Sequence, residues 1–325
     1  MKGANLPNAT LTVGIADENW SRDAQYFEYS QAADPIGSGT ISPVPAREFP
    51  ASLYQGGPTR IIPLDLADEL HVAYPATSPA LLAHYVTIHA GEKVVTHPNA
   101  TSELYYVIRG AGHTELDGRF LDWRAGDFFV LPGGSTARHV AEMDAALYYV
   151  IDQPLLQYLG VKASVPRFEA TLFPSEQVRA ELRRVAKAPD AHNRNRVSVL
   201  LNHANFPETQ TVTHTLWAMF GLIEPGTIQM PHRHNSVALD FVVDAKVGTY
   251  TLLGSTINPR TQEIIDPIRV DWEPGKAFVT PPGMWHAHYN ESRETAYILP
   301  VQDAGLQTYL RTLDIQFTSS NKARG

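Results

Sequence analysis

The 325-residue sequence predicts an all-β protein of two tandem jelly-roll β-barrels, with an N-terminal arm and a short linker helix. Three observations carry that reading. One segment occurs twice: Leu121-Asp122-Trp123-Arg124-Ala125-Gly126-Asp127-Phe128-Phe129-Val130-Leu131-Pro132 matches Val270-Asp271-Trp272-Glu273-Pro274-Gly275-Lys276-Ala277-Phe278-Val279-Thr280-Pro281 at its Asp, Trp, Gly, Phe, Val and Pro positions. Apolar runs are short and bounded by turn residues, with 22 Gly and 24 Pro in the chain. Charged residues are only 18% against 43% hydrophobic, enough apolar material for a large core.

The elements follow in order. Residues 1–55 fit neither repeat and read as an extended arm that packs on a barrel or on a neighbouring subunit. Residues 56–160 form the first barrel, with strands expected at 104–108, 128–131 and 146–151. Residues 161–197 link the copies and contain a helix over 175–187, where Val178, Leu182 and Val185 fall at helical spacing behind a capping Ser175 and before Pro189. Residues 198–325 form the second barrel, with strands at 216–223, 239–243 and 248–253. Two further echoes support the duplication. Asp152 to Leu159 resembles Asp303 to Leu310, and Gly91 precedes His97 by the same six positions that separate Gly226 from His232.

Composition narrows the function classes. With no cysteine, disulfides, zinc ribbons, iron–sulfur clusters and thiol nucleophiles are excluded. A formal charge of −8 without a Lys/Arg block argues against nucleic acid as a partner. No apolar run approaches the roughly 20 residues of a membrane span. The start, Met1 to Gly14, has neither a basic nor an apolar leader region, so the expected location is the cytoplasm. The thirteen histidines are the unusual feature.

Their placement carries chemistry. Residues two apart on a strand share a face, so His232 and His234 project together. A barrel that also receives His286 from a second strand presents three imidazoles to one point. Three protein ligands leave open positions on a first-row metal for water, substrate or oxygen.

The segments Gly226 to His234 and Gly275 to Asn290 resemble the two motifs of the cupin superfamily, G-x5-H-x-H and G-x5-P-x-G-x2-H-x3-N. The likeness extends over both repeats, about 56–160 and 198–317. The run His232 to Val243 and the later Trp285-His286-Ala287-His288 are similar to the gentisate and salicylate 1,2-dioxygenase group, which are bicupins with a three-histidine Fe(II) site. That resemblance implies a ring-cleaving dioxygenase of aromatic catabolism using O2 and a small-molecule substrate, with Fe(II) on His232, His234 and His286, and Mn, Ni or Zn as alternatives. It implies that His288 touches substrate or orients the ligands, and that the chain forms a homo-oligomer, a dimer or tetramer.

Three departures qualify the likeness. The usual cupin glutamate, near Ala238 or Leu239, is missing, which leaves a site of neutral ligands that favours an anionic or chelating substrate. Asp240 stands where the family has a carboxylate-binding arginine. Counted from His232 it points inward, where it acts as a base for a phenolic or enolic proton or is neutralised by an internal partner. The family's metal lies in the first barrel, but here the first copy reads His97, Asn99, Glu103, Ala137 and His139, a poor ligand set. Two rival readings stay open: a non-redox metal isomerase, lyase or hydrolase, and a barrel that binds a small ligand without converting it.

Overall fold

The computed structural model describes residues 20–191 and 194–318. Residues 1–19 of the arm, His192, and residues 319–325 of the second repeat lie outside the described residues. Residues 1–42 form one unit, whose described part carries the four-residue helix Tyr29–Ala32. Residues 43–325 form the other, and all described strands belong to it.

Four antiparallel sheets make up this second unit, two per repeat. In the first repeat one sheet runs Thr171–Phe173, Phe128–Pro132, Ser102–Arg109, Ala145–Ile151, Leu82–Ile88, Arg60–Pro63, and faces the sheet Lys93–Thr96, Ala137–Ala141, Ala111–Leu116, Arg119–Arg124. The second repeat has the same plan. One sheet runs Glu48–Phe49, Ala277–Thr280, Ala238–Asp244, Ala296–Gln302, Trp217–Ile223, Val197–Leu201, and the other Ile268–Asp271, Thr249–Gly254, Trp285–Asn290, Thr227–His234, Ile315–Phe317. The fold is all-β, as the short alternating runs predict.

Alternation along the inner strands divides three apolar cores. Tyr105 and Val107 fill the first barrel with Phe129 and Leu131, while their neighbours Leu104 and Tyr106 face outward into a core shared by both repeats. Leu239 and Phe241 enter that shared core from the second repeat, and Val242 turns into the second barrel with Trp272, Phe278 and Ile298. At the centre Tyr148 stacks on Phe241 with ring centroids 4.9 Å apart. Each such ring, fully buried, contributes about 1.5–3 kcal/mol. The shared core joins the two barrels, so the sheets that form it are buried on both faces, which is why their strands read as continuous apolar runs.

The flanking segments dock on the barrels. Glu48–Phe49 extends the second repeat's sheet beside Ala277–Thr280, and Tyr54 packs on Tyr85 at 4.5 Å. In the linker, Thr171–Phe173 pairs with Phe128–Pro132, and the helix Ser175–Ala186 buries Val178 and Leu182. Its cap differs from expectation. Pro174 occupies the N-cap position and Ser175 is the first helical residue, because Asp127 of the first barrel accepts the Ser175 N–H at 2.8 Å and does the capping from outside the helix.

Gly126 and Gly275, equivalent in the duplicated segment, both turn at positive φ, +90° and +86°. Each bare face receives a flanking segment, Ser175 against Gly126 and Tyr54 against Gly275, where a Cβ would overlap the Tyr54 hydroxyl. Gly275→Ala is expected to cost about 2 kcal/mol from the left-handed backbone alone and to loosen the 48–54 segment. Urea denaturation and limited proteolysis in that segment read the two effects.

Candidate metal centre

A backbone irregularity sets the site. Along strand Thr227–His234, Gln229 pairs with His288 and His232 with His286, so three positions on one strand span two on its partner. The extra residue falls at Met230–Pro231, where proline cannot donate to the ladder, and this β-bulge turns both Gln229 and His232 inward. His234 follows two residues later on the same face. From the neighbouring strand Trp285–Asn290 come His286 and His288, and all four imidazoles are at least 96% buried.

Three of the four rings are tethered alike. The Nδ1 atoms of His232, His234 and His286 meet the backbone carbonyls of Met230 at 3.2 Å, Ser236 at 2.8 Å and Met284 at 3.0 Å. A carbonyl accepts only, so the ring proton sits on Nδ1 and Nε2 carries the lone pair, the tautomer a metal ligand requires. His234 Nε2 is buried and has no hydrogen-bond partner. Burial holds His234 down at about 4, and it pushes His232, His286 and His288 well below the usual histidine range, with mutual repulsion and the Arg196 charge adding to it. The donor set is therefore neutral, and it fits a borderline metal such as Fe(II) or Zn(II).

Two groupings of these rings are available. Donor atoms of His232, His286 and His288 all lie within 4.8 Å of one another, a group that leaves out His234. His234 remains beside His286, with centroids 4.8 Å apart. His288 is held differently: its Nδ1 meets the Thr251 hydroxyl at 2.7 Å, and that hydroxyl accepts from Trp272 Nε1 at 2.8 Å. The first barrel repeats the same relay, Trp123 to Thr114 to His139. Because it also occurs where the other histidines are missing, the relay is a property of the barrel and says little about metal.

Arg196 is a charged residue at the histidine cluster that spacing did not reveal. It stands just before strand Val197–Leu201, and its Nη2 lies 3.1 Å from His232 Nε2 while Nη1 contacts Met219 Sδ at 2.7 Å. With the Gln229 amide turned so that its carbonyl faces the guanidinium, Arg196 Nε donates to it at 2.7 Å. The only legible signal was an arginine directly preceding an apolar strand in the linker. Arg196 opens onto a cavity of about 330 Å3 that Asn195, Ile223 and Gln229 also line. Neither that cavity nor a larger cleft of about 780 Å3, around Arg167 and Tyr309, is lined by any of the four clustered histidines.

Asp240 points inward, 3% exposed, and accepts a hydrogen bond from Thr280 at 2.6 Å. Burial pushes its carboxyl up to about 6 against the pull of Thr280 and Arg196. Of the apolar candidates, Trp272 belongs to the barrel's apolar core, Met219 touches Arg196, and Met230 is partly exposed. Trp217 carries a buried indole N–H without a partner.

In the first barrel no such cluster forms. His97 faces solvent and contacts Thr136, because strand Lys93–Thr96 has no bulge and Thr96 takes the position opposite Ala137 that His232 takes opposite His286. Its motif spacing is thus misleading. Glu103 and His139 do point inward, but Glu103 accepts from the Tyr105 and Tyr149 hydroxyls at 2.7 Å each, and His139 is tied to Thr96 and Thr114.

Comparison with known proteins bears on the fold. Residues 84–151 match the model of the cupin domain family. The salicylate 1,2-dioxygenase of Pseudaminobacter salicylatoxidans superposes with a TM-score of 0.72 over 96% of this chain and 99% of that one, at 14% identity. The protein folds as a bicupin. Among curated relatives, the bicupin is 31% identical over 86 residues to a 5-aminosalicylate 1,2-dioxygenase of Comamonas sp and 32% identical over 94 residues to gentisate 1,2 dioxygenase 1 of Aquipseudomonas alcaligenes. Those stretches are 26% and 29% of this chain, and they span only 23% of each relative's length. No helix among the described residues of the bicupin is long and apolar enough to cross a membrane.

Proposed function

We propose that the protein is a metal-dependent dioxygenase that cleaves a ring or carbon–carbon bond of a hydroxylated aromatic or enolisable small molecule, with Fe(II) on His232, His234 and His286. The observation that carries the reading is the common tether of those three rings, each with Nδ1 on a carbonyl, together with the orphaned Nε2 of His234. The named activities of the relatives point the same way. The chemistry a bound Fe(II) supplies is Lewis-acid polarisation of substrate oxygens and electrons for O2.

The chain's own groups do the rest. Arg196 is the cation beside the donor set, and it orients an anionic substituent of the substrate. If His232 held the metal through Nε2, the contact from Arg196 Nη2 to that atom would be given up and the guanidinium would be available for that role. Trp272, Phe278 and Ile298 exclude water from the inner end of the barrel. His288, neutral and held by Thr251, exchanges a hydrogen bond with a substrate hydroxyl. Both oxygen atoms enter the product, so no external reductant is needed.

Anaerobic loading with Fe(II), followed by oxygen-electrode assays on catechols, salicylates, gentisate, hydroquinones and diketones, tests the proposal. One O2 is expected per product formed. Oxygen-independent turnover that survives replacement of iron by zinc would instead identify a Lewis-acid isomerase, lyase or hydrolase.

A further inference from the structure

Any ion or small molecule that reaches the four clustered rings needs an opening, because each ring is at least 96% buried. Phe317 covers the first of them. It lies directly across the ladder from His232 and stacks on it, with ring centroids 5.9 Å apart and planes inclined by 18°, while 56% of Phe317 stays exposed. It belongs to the strand Ile315–Phe317, which is three residues long and forms the outer edge of its sheet. Among the described residues that strand pairs only with His232, Arg233 and His234, the segment that carries two of the proposed ligands.

The two ends of this strand are held unequally. Before it, the chain is fastened by Asn235: the Asn235 N–H donates to the Asp314 carbonyl at 3.1 Å, the Asp314 N–H to Asn235 Oδ1 at 2.8 Å, and Asn235 Nδ2 to the Thr312 carbonyl at 2.9 Å. After it, the hydrogen bond described is that from the Thr318 N–H to the Pro231 carbonyl at 3.0 Å. The Thr318 hydroxyl is buried there without a partner, which disfavours the docked position of that end. Segments with few buried apolar contacts are the ones that open locally. Phe317 belongs to none of the three apolar cores, so opening at its end uncovers His232 and leaves those cores intact.

We propose that the strand Ile315–Phe317 is a hinged cover over the histidine cluster, anchored at Asp314 and opening at Phe317 to admit the metal ion and small molecules. The competing way in is the cavity beside Arg196, but there the guanidinium bonds both Gln229 and His232 and stands in the path. The proposal rests on the reading of the cluster as the site. Its test uses protein without metal, so a failure to bind metal does not enter the result.

A disulfide across the ladder locks the cover. Arg233 and Gln316 are direct cross-strand partners, one residue out of step with the inward His232 and His234, and such partners hold their Cα atoms about 4.5–5.5 Å apart, a span a disulfide bridges. The chain has no cysteine of its own, so the Arg233→Cys/Gln316→Cys variant forms a single bridge. Metal-free full-length protein is treated with diethyl pyrocarbonate, and labelling is read at each histidine by peptide mass spectrometry. Oxidation of the variant is expected to slow labelling of His232 by at least about tenfold, and reduction to restore the wild-type rate. Phe317→Ala, which needs no bridge, is expected to raise that rate by about three- to tenfold. Exposed His71 and His97 should label alike in every form, and His139, buried in the first barrel, far more slowly than His232. Labelling of His232 that the bridge does not slow, or that Phe317→Ala does not speed, would overturn the proposal and direct attention to the Arg196 side. Equal rates at His232 and His139 would overturn it too, since the whole chain would then be opening.

Discussion

His234→Ala is expected to empty the second barrel of metal. Wild type should hold one ion per chain after reconstitution, and the variant should lose more than about 100-fold in affinity, beyond the 10- to 100-fold that loss of a ligand's hydrogen-bond partner costs. Stability without metal should move by no more than about 1–2 kcal/mol, because the ring removed carries a buried nitrogen with no partner and belongs to none of the three apolar cores. His288→Ala is the informative companion. If the ion sits on His232, His286 and His288, the group whose donors lie within 4.8 Å, His288→Ala loses it and His234→Ala retains it. Metal analysis of both variants separates the two sets, and retention by His234→Ala would overturn the proposed one.

Glu103→Gln is expected to change how stability depends on pH. Burial pushes the Glu103 carboxyl up to about 7 from an ordinary value of 4.5, although Tyr149, Tyr105 and Thr96 pull the other way. A raised pKa means that the native state holds the proton more tightly than the unfolded chain. The contribution is fully present below about pH 4.5 and is lost as pH rises through about 7. The difference corresponds to about 3 kcal/mol. Buried histidines such as His139, lowered to about 3, act in the opposite sense and lose stability as pH falls, so the wild-type profile mixes the two. Comparing Glu103→Gln with wild type cancels them. The stability gap should move in favour of the variant by about 3 kcal/mol between pH 4.5 and 7.5, as read by urea denaturation. A gap independent of pH would mean that Glu103 is ionised throughout this range in the folded protein.

What the sequence disclosed and what it withheld divide along a physical line. The two-barrel plan, the inward histidines at 232, 234 and 286 and the inward Asp240 were legible because each depends on local spacing: strand alternation, Gly/Pro turns and a duplicated segment. Arg196 was hidden because its partners, Met219, Gln229 and His232, come from other strands and no local pattern marks an arginine that turns inward. The cap supplied by Asp127 was hidden for the same reason, since donor and acceptor are 48 positions apart. His97 misled because equal distances from Gly91 and Gly226 in sequence are not equal distances along the two ladders.

That inequality limits how such a protein can change. The extra residue at Met230–Pro231 works like a shift of reading frame in the sheet: every side chain from His232 to His234 owes its direction to it. Substituting histidines into the first barrel would leave position 97 facing solvent, however well the motif then read. Bringing position 97 itself to the inner face of the first barrel would take a change of chain length in strand Lys93–Thr96, whereas position 96 faces inward there already.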